Sequence, residues 1–273
     1  MRAAWLIALE ELRHAFASRL VILLAAVGVL FLLVTSCFAG ANLNANGRIL
    51  GGNEQLGLAR AVVFHFAVAW GVLFATMLGM SAASRPLDDG RTALLCARGL
   101  RRGDVLLGQL LGAWLTAFAS VAALAALGTV VFLLRGYPFP ATLWLGVAAA
   151  SVALALATTL AAFVSVFLPR VVAGMAGIMA YAFSFPAAFP QLRTFLTGGY
   201  DVTGIKFPWY VKWGSELYFT AWPPLAGAQL RAGDLLTLPL KWGSEGWLTL
   251  GTAVGYVALL SLMTYAVFRA RDI

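Results

Sequence analysis

The chain of 273 residues is 62% hydrophobic and 11% charged, with a formal net charge of +8 and a mean hydropathy of +0.88. Soluble domains are about 45–50% apolar and about 25% charged, so a water-soluble fold of this composition would expose large apolar patches and aggregate. The cations sit in short segments beside apolar spans, which assigns them to lipid headgroups and topology rather than to nucleic acid.

Residues 5–17 set Trp5, Leu6, Leu9, Leu12 and Phe16 against Glu10, Glu11, Arg13 and His14, a helical apolar period. Such a helix lies in the membrane surface with its charges toward water. It reads as an elbow that meets a cytoplasmic partner, or as a plain anchor for the span that follows. A helix needs about 20 apolar residues to cross the hydrocarbon core. The first such segment is 20–40. Its continuation into Ala39-Gly40-Ala41 resembles a secretory cleavage site, but the long apolar stretch and the preceding Glu10 and Glu11 argue against cleavage.

The second span is 61–83 and the third 105–134, with Asp104 after Gly103 placed to cap it. Residues 142–168 and 171–190 are separated only by Pro169-Arg170, which predicts a tight helical hairpin, and Pro186 and Pro190 interrupt the outer end of the fifth span. The last span is 246–268, with Ser244 placed to cap it. The expected fold is all-α and integral to a membrane, with six transmembrane helices, an N-terminal elbow helix, a cytoplasmic loop at 84–104 and a long outer loop at 191–245. Cys37 and Cys96 fall on opposite sides of this layout and show no metal-ligand spacing.

With the N-terminus inside, segments 1–19, 84–104, 169–170 and 269–273 hold 11 of the 19 Lys and Arg residues, and the much longer outer segments hold 8. Positive charge is denser inside, so both termini are expected in the cytoplasm.

The loop from Ser84 to Asp104 mixes Arg85, Asp88, Asp89, Arg91, Arg98, Arg101, Arg102 and Asp104 with Leu87, Leu94, Leu95 and Leu100. A solvated loop has no need of those leucines. A short helix that docks apolar residues into a partner groove and rims them with charge does. The bland reading is a basic loop lying on headgroups.

The order of parts resembles the ABC-2 type permease family, the membrane halves of many ATP-driven exporters. Glu11-Leu12-Arg13 matches a family element of the opening helix. Asp88-Asp89-Gly90-Arg91-Thr92, Leu94-Leu95, Arg101-Arg102 and Gly108-Gln109-Leu110 follow the family's loop and third span, and Phe268-Arg269-Ala270-Arg271-Asp272-Ile273 is similar to its basic tail. The chain departs from the family in lacking the usual Pro before the loop arginine and in carrying Gln109 where Lys is usual. The resemblance implies a second permease copy or a paralogue, a pair of cytoplasmic ATPase subunits that hold ATP and Mg, and the cytoplasmic membrane of a prokaryote. It also implies that 86–104 form the coupling region. Glu10, Glu11, Arg13, Pro86, Asp88, Asp89, Gly90, Arg91, Leu94, Leu95, Arg98, Arg101, Arg102, Asp104 and Arg170 are the expected coupling residues.

The chain's own chemistry agrees with an external source of work. A phosphate-cradling loop needs Gly-Lys followed by Ser or Thr, whereas Lys206, Lys212 and Lys241 all lack a preceding Gly. The six spans as drawn hold no Asp, Glu, Lys or Arg, which disfavours ion coupling. No catalytic site and no cofactor of its own are expected.

Small residues recur at helical spacing in Gly71-Ala75-Gly79, Gly108-Gly112, Ala173-Gly177 and Gly251-Gly255. They mark close helix packing, either within one subunit or at a sliding dimer seam. In the resembled family the second and fifth spans line that seam, which points to Phe64, His65, Trp70, Tyr181 and Phe185 as the substrate path. An uncharged path suits a hydrophobic or amphipathic substrate. The outer loop is rich in Trp and Tyr, and Lys-Trp-Gly-Ser-Glu occurs at 212–216 and again at 241–245, where Ser then Glu suits a helix start.

Two functions compete. One is a permease. The other is a non-transporting membrane subunit that passes ATPase-driven force to an extracytoplasmic partner, or scaffolds it. An intramembrane enzyme needs a polar constellation within the spans, and the sequence offers none.

Overall fold

A computed structural model describes residues 2–17, 22, 26–30, 33–34, 44–45, 48–49, 52–88, 100–134, 136, 140–189, 192, 208–237 and 243–270; of these, the side chains of 2, 17, 44–45, 48–49, 52–55, 84–88 and 236–237 are not described. These residues are helical apart from turns, short connections and one antiparallel pair of two-residue strands, β1 (Asn44–Ala45) with β2 (Arg48–Ile49). The helices are α1 (Arg2–Ala17), α2 (Gly52–Asp88), α3 (Arg102–Leu134), α4 (Leu143–Phe167), α5 (Arg170–Ala187), α6 (Trp209–Ala221), α7 (Leu225–Thr237) and α8 (Ser244–Ala270).

Five stretches are long and apolar enough to cross a membrane: Leu56–Ala83 within α2, and α3, α4, α5 and α8. Hydrocarbon offers backbone groups no partner, so long runs of Leu, Ala and Val there satisfy their own N–H and C=O groups as helix. The chain is a multi-pass membrane protein. The first expected span, 20–40, lies mostly outside the described residues; 22, 26–30 and 33–34 within it are helical.

The observed bounds of the other spans differ from expectation mainly at the ends. The fifth helix stops at Ala187, because Pro186 supplies no N–H and ends the helix within two residues. The second runs from Gly52 to Asp88, so residues 84–88 extend the helix and Arg60 lies inside the apolar stretch. Arg60 is therefore a charge within a crossing segment, which the narrower expected span of 61–83 left out. Asp104 sits in the first turn of α3 rather than before it, with its N–H bonded to the Arg101 carbonyl at 2.9 Å.

α2 is the centre of the bundle and packs against α3, α4, α5 and α7. Glycine makes the approach possible. A Cβ at Gly71 would lie 2.1 Å from Val121 Cγ2, and one at Gly79 would lie 2.5 Å from the Thr158 carbonyl oxygen of α4. The core joins Phe64, Val68 and Val72 of α2 to Val121 of α3, Leu154 of α4 and Leu225 of α7. Trp114 of α3 donates its indole N–H to the Ser151 carbonyl of α4 at 2.9 Å.

The bundle has two distinct ends. At one, Ala82 and Ala83, Leu106 and Leu110, Ala162, Val166 and Phe268 form a cluster, so the ends of α2, α4 and α8 meet the start of α3. At the other, Val63 packs with Phe132, joining the start of α2 to the end of α3. The α4–α5 hairpin turns at Leu168-Pro169, at the first end.

Candidate functional site

The end that gathers the start of α3 carries α1. Helix α1 packs along α3 in the same direction, turn for turn. A Cβ at Gly108 would lie 2.7 Å from both the Ala4 carbonyl and Ile7 Cβ, and one at Gly112 would lie 2.7 Å from Glu11 Cβ and 3.0 Å from the Ala8 carbonyl. Its buried face is Ala4, Ile7 and Ala8, whereas Trp5, Leu6, Leu9 and Phe16 are exposed. The large apolar side chains thus face away from the protein, and the small ones make the joint.

On this frame Glu10 and Arg13 are exposed on α1, Glu11 is half-buried against α3, and Arg101 is exposed just before α3. Arg102 and Asp104 lie half-buried in the first turn of α3, and Arg170 opens α5. Glu10, Glu11, Arg102, Asp104 and Arg170 all have interaction partners. Pro86 and Asp88 belong to the helical end of α2, with side chains outside the described set, and Asp89, Gly90, Arg91, Leu94, Leu95 and Arg98 lie outside the described residues altogether. Leu106 and Leu110 join the cluster at this end, and between them Gln109 is buried, with no hydrogen-bond partner for its Oε1 among the described residues.

The opposite end holds a polar cluster. Tyr181 of α5 donates its hydroxyl to Gln229 Oε1 of α7. Gln229 in turn donates its amide Nε2 to the His65 carbonyl of α2 at 3.0 Å. Ser184 accepts the Ala226 N–H at 2.8 Å, which satisfies a donor in the first turn of α7, and its hydroxyl donates to the Tyr181 carbonyl at 2.6 Å. The His65 ring lies against Gly233, where a Cβ would come within 2.4 Å of Cε1. At the rim Arg231 pairs with Glu245 at 2.8 Å and with Asp234 at 3.4 Å.

Of the expected path residues, Phe64, His65, Tyr181 and Phe185 gather around α7. Phe64 lies edge-on to His65 at 5.4 Å, and Tyr181 edge-on to Phe185 at 5.1 Å. Trp70 lies apart from them, stacked on Phe66 at 5.6 Å and touching Gly28 of the first apolar segment. The sequence reading missed Gln229 and Ser184. Gln229 stands alone among Leu225, Ala226, Ala228 and Ala232, and one polar residue on a small apolar helical face was the available signal.

The remaining buried hydroxyls are spent locally. Thr116, Thr158 and Thr264 donate to carbonyls one turn back on their own helices, at 2.8, 2.8 and 2.7 Å. They form no triad or relay. Among the described residues no three His, Cys, Asp or Glu side chains group as metal ligands.

Over the same end lies α6. Tyr218 donates to the Phe183 carbonyl, Trp222 to the Ala180 carbonyl at 3.1 Å, and Tyr256 of α8 to the Ala221 carbonyl at 2.7 Å. These bonds strap α6 to α5 and α8, leaving Trp209, Tyr210, Trp213 and Leu217 exposed. The first Lys-Trp-Gly-Ser-Glu copy lies inside α6, which begins after Pro208, so it does not mark a helix start; in the second copy Ser244 opens α8.

No family model matches the chain, and no curated protein matches it.

Proposed function

We propose that the chain is the membrane-spanning permease subunit of an ATP-binding-cassette exporter that moves or flips a hydrophobic or amphipathic substrate. Its work comes from a separate cytoplasmic ATPase dimer, and it functions beside a second permease copy or a paralogue. The observation that carries this reading is the α1–α3 joint. Two glycines on α3 let α1 sit against its backbone just beyond the charged segment that feeds α3. Motion delivered to Arg101 and Arg102 by a partner would reach α1 and the bundle as one rigid push, because close-packed helices transmit displacement rather than absorb it.

The layout supports six crossings. α1 begins at the end where α3 starts, whereas α2 starts at the opposite end with Val63 beside Phe132. The chain between Ala17 and Gly52 joins the two, so a span at 20–40 restores an even count and returns both termini to one side, the cytoplasm. The coupling roles of α1 and of residues 84–104 follow from this assignment, with α1 laid along α3 rather than flat in the membrane surface.

A second reading is favoured by the other end. Helix α7 fills the space between α2, α4 and α5, and α6 presents an aromatic face outward. A subunit that transmits force to an extracytoplasmic partner would need both features.

The test is reconstitution of the chain with its ATPase in proteoliposomes. Arg101→Glu with Arg102→Glu is expected to lower coupled ATP hydrolysis about tenfold, as reversal of a close interfacial charge pair does, while the protein stays monodisperse. Unchanged hydrolysis would overturn the proposal. Stimulation by an amphipathic compound supports the permease, and stimulation only by a protein supports force transmission.

A further inference from the structure

We infer that α7 is a retractable plug, held in the outer half of the bundle by a hydrogen-bonded latch of Tyr181, Gln229 and Ser184. Thirteen residues of helix span about 20 Å, too short for a hydrocarbon core of about 30 Å. Pro223 and Pro224 lead into α7 and α8 starts at the same end, so α7 enters and leaves on one side. It is nevertheless among the best-buried parts of the molecule, with Leu225, Ala226, Ala228, Gln229 and Ala232 all inaccessible.

The buried face is smooth. After Leu225 the fully buried positions are Ala226, Ala228, Gln229, Ala232 and Gly233, with Leu230 and Leu235 only half-buried, so no further large apolar side chain of α7 is fully enclosed by the helices around it. Packing between helices in a bilayer gains little from the hydrophobic effect, because lipid is as apolar as the neighbours. What fixes α7 is polar. Gln229 bridges the Tyr181 hydroxyl and the His65 carbonyl, and Ser184 holds the first-turn N–H of Ala226. Three side chains therefore tie α7 to α5 and α2. Outside, Arg231 and Glu245 form an exposed tether to α8 that tolerates movement. A smooth helix held by a few hydrogen bonds can withdraw as a body and return to one register. Withdrawal would leave a passage with His65, Tyr181 and Ser184 on its wall. The role of α7 as a plug rests on the permease reading, whereas its seating does not.

The test reads the seat directly, with no ATPase present. In full-length protein in membrane vesicles, with Cys37→Ser and Cys96→Ser, Ala228→Cys is exposed to a membrane-impermeant maleimide from the outer side. Labelling is expected to be slow with the latch intact. Tyr181→Phe, which keeps the ring against Phe185, is expected to speed it about tenfold, the factor that loss of one buried hydrogen bond implies. Ser184→Ala is the second variant and Ala232→Cys the second reporter, with Lys212→Cys as a position whose rate stays constant. Equal rates with and without the latch overturn the inference, whether both are slow, as for a permanent core helix, or both fast, as for a helix never seated. Loss of coupled hydrolysis with the latch effect intact would count against the permease reading alone.

Discussion

Glycine positions separate into two kinds that the sequence shows as one. Gly71 and Gly79 on α2, and Gly108 and Gly112 on α3, face other helices of the same subunit at distances that no Cβ tolerates. Gly251 and Gly255 on α8 have the same four-residue spacing and meet nothing within 4 Å. Spacing reports that a helix has a smooth stripe; it carries no information on what lies against the stripe. Gly79→Ala must push α2 away from the backbone of α4 at Thr158, and is expected to destabilise the protein by about 1–3 kcal/mol. Gly251→Ala adds a methyl into open space on a helix and is expected to be neutral or stabilising by up to about 1 kcal/mol. Thermal unfolding of the two variants in one detergent compares them. An equal cost at both sites would mean that another surface covers α8.

At the scale of elements, the sequence was most legible where apolar length alone decides. The expected spans 105–134, 142–168 and 246–268 match α3, α4 and α8 to within three residues at each end. Faces were less legible. The period of Trp5, Leu6, Leu9 and Phe16 correctly signals a helix, but in a membrane large apolar side chains suit lipid and small ones suit protein, so the joint falls on Ala4, Ile7 and Ala8. The outer segment was legible only as aromatic. That α6 and α7 divide it, one exposed and one buried, depends on the Ala180 and Phe183 carbonyls of α5 and on the Tyr256 hydroxyl of α8, which no local pattern announces. The two α5 carbonyls lie near Pro186, which leaves the Ala182 carbonyl without its usual helical donor and loosens the last turn. The α6 strap is built on that end. Burial pushes the Tyr218 phenol up, so it remains a donor well into the alkaline range. Removing both polar handles with Tyr218→Phe and Trp222→Phe leaves an aromatic ring at each position and deletes both bonds to α5. Trypsin cleavage after Lys212, which requires α6 to open, is expected to accelerate by about tenfold or more, two hydrogen bonds being worth roughly 1 kcal/mol each. An unchanged cleavage rate would show that aromatic packing and the Tyr256 bond hold α6 without these two.

The whole molecule is organised by its two ends, and charge distinguishes them. Arg13, Arg101, Arg102, Arg170 and Arg269 lie toward the end where α3 starts, whereas Arg60, Lys212 and Arg231 lie toward the other, on α2, α6 and α7. Cationic segments resist translocation, so the proposed function places the arginine-rich end in the cytoplasm. The α4–α5 hairpin makes this assignment testable. Arg170 sits directly after Pro169 at the turn, half-buried and within a few residues of the cluster at that end, so a label there reports the side of the hairpin itself. Lys212 is exposed on α6 and reports the other side. In the background lacking Cys37 and Cys96, Arg170→Cys is expected to react with an impermeant maleimide only in inside-out vesicles, and Lys212→Cys only in right-side-out vesicles. Reaction of both from one side would break the bundle's through-membrane orientation, and with it the path from an inner docking surface to an outer plug. Reaction of each from the side opposite to expectation would keep the bundle but invert it, placing α1 and the start of α3 beyond the reach of any cytoplasmic ATPase.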